Sequence, residues 1–452
     1  MRKEETMEPR PASVPPKAMQ AGEVPDPLDL RQWAWIEPSV WTPRMLTALI
    51  QGVKGGVWFS LIDKVYSAGN LAAAAAKVVA NRGAAGVDHV DVEAFGYRMD
   101  ENLKSLAEQL RAGTYRPQAI RRVYIPKPGS DELRPLGIPT VRDRVVQTAI
   151  VNVLAPIFER DFSPNSYGFR PNRGCQQALD QVDSLLADGY QYVVDADLKS
   201  YFDTIPHERL MERIEEKVSD GRLLTLIESF LKAGILEGLQ EWTPTAGAPQ
   251  GAVLSPLLSN VYLNPLDQMM VSRGYKIVRY ADDFVILCRS REEADRALGE
   301  VQAWVESNGL TLHPDKTRIV EASRDYFDFL GYRYERGKRF VRPKSMAKLK
   351  EKVRSKTKRT EGRSLKAIIA DLNATLRGWF GYFKRCYATE FSGLDGWIRR
   401  RLRSLLRKRL GFGGMSRHGA DEQKRWPNAY FAEQGLYSLK AAHERASRPP
   451  SG

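Results

Sequence analysis

Two kinds of hydrophobic pattern divide this chain. Between Trp33 and Ala80 the apolar residues recur at helical spacing, and residues 364–406 show the same period. Residues 190–198 and 276–287 are short apolar runs rich in valine and isoleucine, which is typical of strands. The second run is interrupted by Ala281-Asp282-Asp283, so it predicts two strands that meet in a turn. The pattern therefore predicts an α+β chain that ends in an all-α region.

Turn and cap signals refine this prediction. Tyr124-Ile125 and Ile138 lie on either side of Pro126-Lys127-Pro128-Gly129, which predicts a hairpin that presents Lys127 and Arg134. In the helical region, Ser364 precedes one apolar helical stripe and Asp395 precedes another, so both are candidate N-caps.

Changes of composition along the chain predict four segments. The first is rich in proline and poor in large apolar side chains, which predicts a flexible lead. Boundaries between the later segments are expected near Arg336–Pro343 and Gly411–Gly414, and a disordered tail is expected at Ser447–Gly452. The predicted segments are a flexible lead at 1–30, a mixed sheet and helix region at 31–338, a basic helical region at 339–410 and a short final segment at 411–452.

Charge points to a polyanionic partner. The 452 residues include 69 Lys and Arg against 55 Asp and Glu, a net charge of +14, and residues 341–410 alone hold 21 bases against five acids. Nucleic acid is the partner such a distribution favours, and anionic lipid is the weaker alternative. No apolar run is long enough to cross a membrane, and three cysteines are too few for a disulfide framework. A cytosolic protein is expected, since the N-terminus lacks a signal peptide pattern.

The acidic pair Asp282-Asp283 is the strongest chemical signal. Like charges at such a distance repel unless a cation neutralises them, and carboxylate oxygens favour Mg²⁺. Asp197 ends the strand-like run at 192–198 and could reach the same site. Two Mg²⁺ ions held there would suit phosphoryl transfer to an attacking hydroxyl. An isolated Asp-Asp pair, however, is most often a solvated turn.

Further motifs resolve this ambiguity. Tyr280-Ala281-Asp282-Asp283 resembles the palm signature of reverse transcriptases, and the other blocks stand in that family's order. Over about residues 60–445 the chain resembles a bacterial group II intron reverse transcriptase, or intron-encoded maturase. The blocks are VYIPKPGSDELRPLGIPT at 123–140, SYGFRPNRG at 166–174, DADLKSYFD at 195–203, GAPQGAVLSPLLSN at 247–260, and the segments 309–316 and 329–332.

The resemblance implies a right-hand polymerase, with fingers and palm followed by a helical thumb. It implies RNA-directed DNA synthesis in which Asp197, Asp282 and Asp283 hold two Mg²⁺ ions. It also implies nucleotide contacts for four residues: Lys127 and Arg134 on the triphosphate, Phe202 as the aromatic that excludes a ribose 2′-OH, and Gln250 beside the incoming nucleotide and template.

The stretch 377–383 is similar to the thumb, or X domain, of these maturases, which implies binding of intron RNA and of the template–primer duplex. Trp426–Phe431 resembles part of a short DNA-binding domain, which implies target DNA as a further partner. Splicing assistance and intron mobility are implied in the same way. The basic residues expected to contact nucleic acid are Lys348, Lys352, Arg354, Lys356, Lys358, Arg377, Lys384, Arg385, Arg400 and Arg403.

Residue chemistry alone leaves alternatives open. Lys127 and Arg134 could be solvated hairpin charges, Phe202 could be ordinary core, and strand periodicity cannot choose Asp197 over Asp195 or Asp203. Lys316 could be a primer-grip residue or a structural charge, and the sequence does not choose between these roles. Trp379 and Trp397 lie on apolar stripes and are expected mainly in the core.

Alternatives also remain for the whole chain. A reverse transcriptase of another class, serving host defence or sequence diversification, and a maturase that acts only as an RNA-binding splicing factor are the rival functions. A homodimer is left open. After Gly414 there is no cysteine and few histidines, so no nuclease domain is expected.

Overall fold

The computed structural model of the chain describes residues 31–126, 133–411 and 419–447. The predicted lead at 1–30, the turn that carries Lys127, most of the predicted boundary at Gly411–Gly414 and the tail after residue 447 lie outside the described residues.

Helices form most of the N-terminal part and all of the regular structure after residue 342. In chain order they are α1 (Pro43–Gln51), α2 (Ile62–Val65), α3 (Ala68–Ala80), α4 (Val92–Tyr97), α5 (Met99–Ala112), α6 (Val141–Glu159), α7 (Cys175–Ala187), α8 (Tyr201–Thr204), α9 (His207–Glu215), α10 (Gly221–Leu231), α11 (Ser255–Ser272), α12 (Arg291–Ser307), α13 (Pro343–Lys356), α14 (Leu365–Phe383), α15 (Thr389–Arg409), α16 (Gly419–Arg425), α17 (Asn428–Glu433) and α18 (Leu439–Ala446). A short 3₁₀ helix spans Lys54–Gly56.

The strands lie between these helical regions and form separate sheets. They are β1 (Ile120–Pro126), β2 (Leu133–Ile138), β3 (Tyr192–Asp197), β4 (Ile235–Glu237), β5 (Gln240–Trp242), β6 (Lys276–Tyr280), β7 (Asp283–Cys288), β8 (Arg318–Glu321), β9 (Tyr326–Phe329), β10 (Tyr332–Glu335) and β11 (Lys338–Val341). The mixed composition confirms the predicted α+β class.

The first sheet contains the predicted fingers hairpin. β1 and β2 pair in antiparallel register, with Ile125 opposite Arg134, while β4 adds to β1 in parallel and β5 pairs with β4. The sheet order is β2-β1-β4-β5. The pairing confirms the predicted hairpin, and Arg134 is the second residue of β2.

The second sheet carries the acidic residues and separates two hydrophobic cores. Its order is β6-β7-β3-β8, with every neighbouring pair antiparallel. Successive side chains of a strand point to opposite faces. Accordingly, Val194 and Ile286 are buried in a core with α6 and α11, whereas Val193 and Val285 are buried in a core with the C-terminal helices.

The C-terminal helical region follows the third sheet, β9-β10-β11, directly. Residues 339–341 still belong to β11, so the helices begin at Pro343. Ser364 caps α14 as predicted, because its hydroxyl accepts a hydrogen bond from Ala367 N at 3.2 Å. The predicted cap at Asp395 is wrong. This residue lies buried inside α15, and its carboxylate accepts from the backbone N–H of Leu439, at the start of α18, at 3.0 Å.

Candidate active site

The β6–β7 hairpin carries the acidic pair at its turn. β6 ends at Tyr280 and β7 begins at Asp283, and Ala281 between them adopts a φ of 59°. β3 pairs with β7 in a register that places Asp197, its last residue, opposite Asp283. The predicted approach of Asp197 to the acidic pair is therefore confirmed, and strand register is its cause.

Burial and mutual repulsion make this cluster electrostatically costly. Burial, together with the negative charges of Asp195, Asp282 and Asp197, raises the pKa of Asp283 to about 7. Burial also raises the pKa of Asp282, and the charge of Asp197 adds to that rise. A bound cation would offset this cost by favouring the ionised carboxylates.

The donor set fits Mg²⁺, which prefers carboxylate oxygens. Among residues 31–126, 133–411 and 419–447, no group of three or more His, Cys, Asp or Glu side chains is gathered closely enough to hold a metal ion. Asp197 is instead paired with Lys316, whose ammonium lies 2.7 Å from its Oδ2. Asp197, Asp282 and Asp283 are the carboxylates that would hold the ion, and Lys316 occupies one of their oxygens.

Backbone hydrogen bonds tie the loop that carries Lys316 to the end of β3. His313 N donates to Asp197 O at 2.7 Å, and Lys199 N donates to Thr311 O at 2.9 Å. The sequence did not decide between a primer-grip and a structural role for Lys316. It lies 119 residues from Asp197 in the chain, and no local pattern signals this pairing.

A buried arginine without a predicted role stabilises the turn between β6 and β7, called the catalytic turn below. Arg279 and Asp267 are fully buried and form an ion pair. The Arg279 guanidinium also donates to Asn260 Oδ1 at 3.0 Å and to the carbonyl oxygen of Ala281 at 2.9 Å. An arginine within an otherwise apolar strand was the available signal. Its partners come from α11 and could not be read from the hairpin alone.

Two of the four predicted nucleotide contacts share one cavity of about 380 Å³. Phe202 and Gln250 line it, and Arg134 Nε donates to Gln250 Oε1 at 2.6 Å. Burial raises the pKa of Asp282, and the positive charge of Arg134 opposes that rise. Phe202 is buried, with its ring edge-on to Tyr201. Lys127 lies outside the described residues.

Comparison with known proteins places these features in one family. Residues 125–334 match the family model for reverse transcriptase (RNA-dependent DNA polymerase), and residues 346–420 match the group II intron, maturase-specific domain. Protein YkfC of Escherichia coli (strain K12) is 35% identical over 345 residues, which are 67% of this chain and 86% of YkfC. The chain belongs to the group II intron reverse transcriptase family.

Other similarities are partial. The group II intron-encoded protein LtrA of Lactococcus lactis subsp. cremoris is 41% identical over 199 residues, 44% of this chain and 33% of LtrA. A telomerase from Candida albicans, solved with a fragment of telomeric RNA, gives a TM-score of 0.41 at 13% identity over 74% of this chain and 65% of that one. That score is too low to add to the assignment. Within the described residues, no helix combines the length and the apolar character that crossing a bilayer requires.

In this reverse transcriptase most of the basic residues predicted to contact nucleic acid are exposed. Lys356 is half-buried and forms an ion pair with Asp371, and Arg385 pairs with Asp180 of α7. Their charges are therefore partly compensated within the protein. The exposed members of the predicted set are Lys348, Lys352, Arg354, Lys358, Arg377, Lys384, Arg385 and Arg400.

The prediction that Arg403 contacts nucleic acid is wrong. Its side chain is 3% exposed, and its guanidinium donates to Trp426 O and Asn428 Oδ1, both at 2.9 Å, while stacking over Phe431. The residue instead joins α15 to the segment that follows it. Helical periodicity could not identify this role, because the partners lie more than twenty residues further along the chain.

Proposed function

We propose that this chain copies RNA into DNA, with Asp197, Asp282 and Asp283 holding two Mg²⁺ ions. The observation that carries the proposal is the register of β3 and β7, which sets Asp197 opposite Asp283 while Asp282 occupies the adjoining turn. Carboxylates on neighbouring strands can supply oxygen ligands to the same cation.

The other predicted residues take roles around this cluster. Arg134 and Lys127 hold the triphosphate of the incoming nucleotide through charge-assisted hydrogen bonds. Phe202 closes the pocket against a ribose 2′-OH, and Gln250 positions the nucleotide while bonded to Arg134. The bound Mg²⁺ ions would activate the primer 3′-OH and stabilise the leaving oxygen.

Primer extension on a polyriboadenylate template tests the proposal. The substitution Asp282→Asn removes one negative charge from the cluster with little change in shape. Extension is expected to fall by roughly 10²–10³-fold or more, as when one preorganised electrostatic contact is removed from an active site. Binding of template–primer, followed by fluorescence anisotropy, is expected to stay close to that of the unmodified protein.

Asp295→Asn is the matched control. Asp295 lies on the surface of α12 in an exposed ion pair with Arg291, so this variant is expected to extend primers normally. Full extension by Asp282→Asn would contradict the assigned metal ligands. Equal loss of extension and of binding in a folded Asp282→Asn protein would contradict the separation of chemistry from binding.

We further propose that the exposed basic residues of α13–α15 bind intron RNA and template–primer, and that the protein assists splicing and retrohoming of its parent intron. The match of residues 346–420 to the maturase-specific domain supports this role. Target DNA and deoxynucleoside triphosphates are the other expected partners. The bacterial cytosol is the expected location, since these nucleic acids are found there, and a homodimer stays a prediction. A splicing assay with intron RNA tests the maturase role.

A further inference from the structure

The loop that joins α6 to α7 is fixed against the catalytic hairpin. Arg170 is buried, and its guanidinium donates to Ser166 O at 2.7 Å and to the Glu159 carboxylate at 2.8 Å. Tyr167 N donates to the carbonyl oxygen of Arg279 in β6 at 2.8 Å. The loop is therefore braced from within and bonded to the strand that leads into the catalytic turn.

Phe169 lies on this loop beside Phe202, the residue proposed to exclude a ribose 2′-OH. Gly168 precedes it and touches the catalytic turn so closely that a Cβ there would lie 2.3 Å from Ala281 N. The Phe169 ring stands edge-on to Phe202, with centroids 6.5 Å apart and planes at 71°. Despite these contacts the Phe169 side chain is 51% exposed, although the loop around it is largely buried.

The backbone at Phe169 is also strained. Its φ is 58°, a left-handed conformation that glycine or asparagine adopts far more readily than a bulky aromatic residue. Ser200 and Ala281, at φ values of 49° and 59°, show the same feature on the other sides of the site. Strain of this kind persists where the surrounding structure enforces it, and it is concentrated at functional sites. A half-exposed ring gains too little from burial to explain why a phenylalanine stands here.

We propose that Phe169 is a specificity-determining residue that forms one aromatic wall with Phe202 and contacts the sugar of the incoming nucleotide. The inference deepens the proposed function and rests on it. Phe202 is 7% exposed and Phe169 is 51% exposed, so Phe202 forms the buried part of the wall and Phe169 forms its exposed part. Loss of the Phe169 ring would remove the edge-on contact with Phe202, so the wall would exclude a ribose 2′-OH less strictly.

Single-nucleotide incorporation kinetics test this inference. The measured quantity is the ratio of kcat/KM for a deoxynucleotide to kcat/KM for the matching ribonucleotide. Phe169→Ala is expected to lower this ratio roughly three- to tenfold, the size of one aromatic pair contact, mainly by raising kcat/KM for the ribonucleotide. Phe169→Tyr is expected to restore most of the ratio, since it keeps the ring.

The double variant Phe169→Ala/Phe202→Ala shows whether Phe169 acts through Phe202. If Phe169 acts through Phe202, the double variant has the same ratio as Phe202→Ala alone, because contacting residues are not additive. Phe59→Ala is the matched control. Phe59 is 72% exposed and lies outside the site, so this variant is expected to keep the unmodified ratio.

A stability comparison separates function from folding. Phe169→Gly is expected to have a melting temperature equal to or higher than that of Phe169→Ala, because glycine accepts the positive φ. Phe169→Gly is nevertheless expected to lose as much discrimination between the two nucleotides as Phe169→Ala.

Equal slowing of both nucleotide types in Phe169→Ala would show that the loop has only a structural role and would overturn the inference. An unmodified ratio in Phe169→Ala, with a lowered ratio in Phe202→Ala, would overturn the inference and leave the proposed function standing. An unmodified ratio in Phe202→Ala, or a native protein that incorporates neither nucleotide, would overturn both.

Discussion

Two interactions compete for the carboxylate of Asp197. Its position opposite Asp283 suits a shared cation, whereas its carboxylate is already paired with the Lys316 ammonium. The lysine lowers the cost of placing several acids together, but it also competes for an oxygen that a metal ion would use. We therefore expect Lys316 to lower the affinity of the cluster for divalent ions.

Removing the ammonium should strengthen metal binding. In Lys316→Met the Mg²⁺ concentration that gives half-maximal extension is expected to fall by up to about fivefold, because an exposed ion pair contributes about 0.2–1 kcal/mol. Titration of extension activity with Mg²⁺ gives this value, and Mn²⁺ binding followed by electron paramagnetic resonance checks it without turnover. A higher metal requirement in Lys316→Met would show that the lysine assists binding instead of competing.

Sequence alone could not separate the neighbouring acids of β3. Asp195 and Asp197 share one face of the strand, and the motif was the reason to choose Asp197. The structure distinguishes them by their partners: Asp195 lies opposite Val285 and 3.7 Å from the Arg318 guanidinium, whereas Asp197 lies opposite Asp283. These partners depend on strand register, which no local pattern encodes.

The β6–β7 hairpin, which carries Asp282 and Asp283, depends on the buried ion pair between Arg279 and Asp267. In Asp267→Ala the Arg279 charge would stay buried without a counter-charge, so the free energy of unfolding is expected to fall by about 3–5 kcal/mol. Chemical denaturation followed by circular dichroism measures this loss. Asp295→Ala breaks the exposed pair with Arg291 and is expected to cost about 0–1 kcal/mol. Similar losses in both variants would contradict a special role for the buried pair.

The N-terminus of α10 is joined to the start of α2 by one carboxylate. Burial alone would raise the pKa of Asp220, but hydrogen bonds from the backbone N–H groups of Ile62, Leu223, Leu61 and Arg222 outweigh it and lower the pKa. The ionised carboxylate thus stabilises the fold above its unfolded pKa of about 3.9, and this contribution is lost as the pH falls through the lower folded value.

Replacing this carboxylate should change the pH dependence of stability. Asp220→Asn is expected to be less stable than the native protein by about 1–2 kcal/mol at pH 7, and the difference should shrink as the pH falls below about 4. Denaturant unfolding at a series of pH values measures it. A difference that stays constant across this range would mean that hydrogen-bond geometry, and not charge, carries the effect.

Elements were predictable where the signal is local. The β6–β7 turn follows from two acids that interrupt an apolar run, and the α14 cap follows from Ser364 before a helical stripe. Asp395 also precedes a helical stripe, but it does not cap α15 because that helix already begins at Thr389. Its carboxylate bonds instead to Leu439 N, a long-range contact that local spacing does not contain.

For the whole molecule, the sheet β6-β7-β3-β8 is shared between two cores. One face packs with the N-terminal helices and α11, and the other packs with the third sheet and the C-terminal helices. The predicted boundary near Arg336–Pro343 marks a change of pattern in the chain, and this second core continues across it. The basic helices are therefore held in a fixed relation to the catalytic hairpin.

Nucleic-acid binding by these helices should depend on salt through identifiable residues. Lys348 and Lys352 are exposed one turn apart on α13, while Leu349 and Val353, the residues that follow them, are buried. Each phosphate contact that is lost reduces the slope of log affinity against log salt concentration by about 0.7–0.9, because one fewer counterion is released. The variants Lys348→Gln and Lys352→Gln should each show this reduction, while kcat for a bound primer stays unchanged.

Lys232→Gln is the control, because it makes the same charge change beside Glu228 on α10 and should leave the slope unaltered. Equal reductions in all three variants would mean that net charge, and not the α13 surface, governs binding.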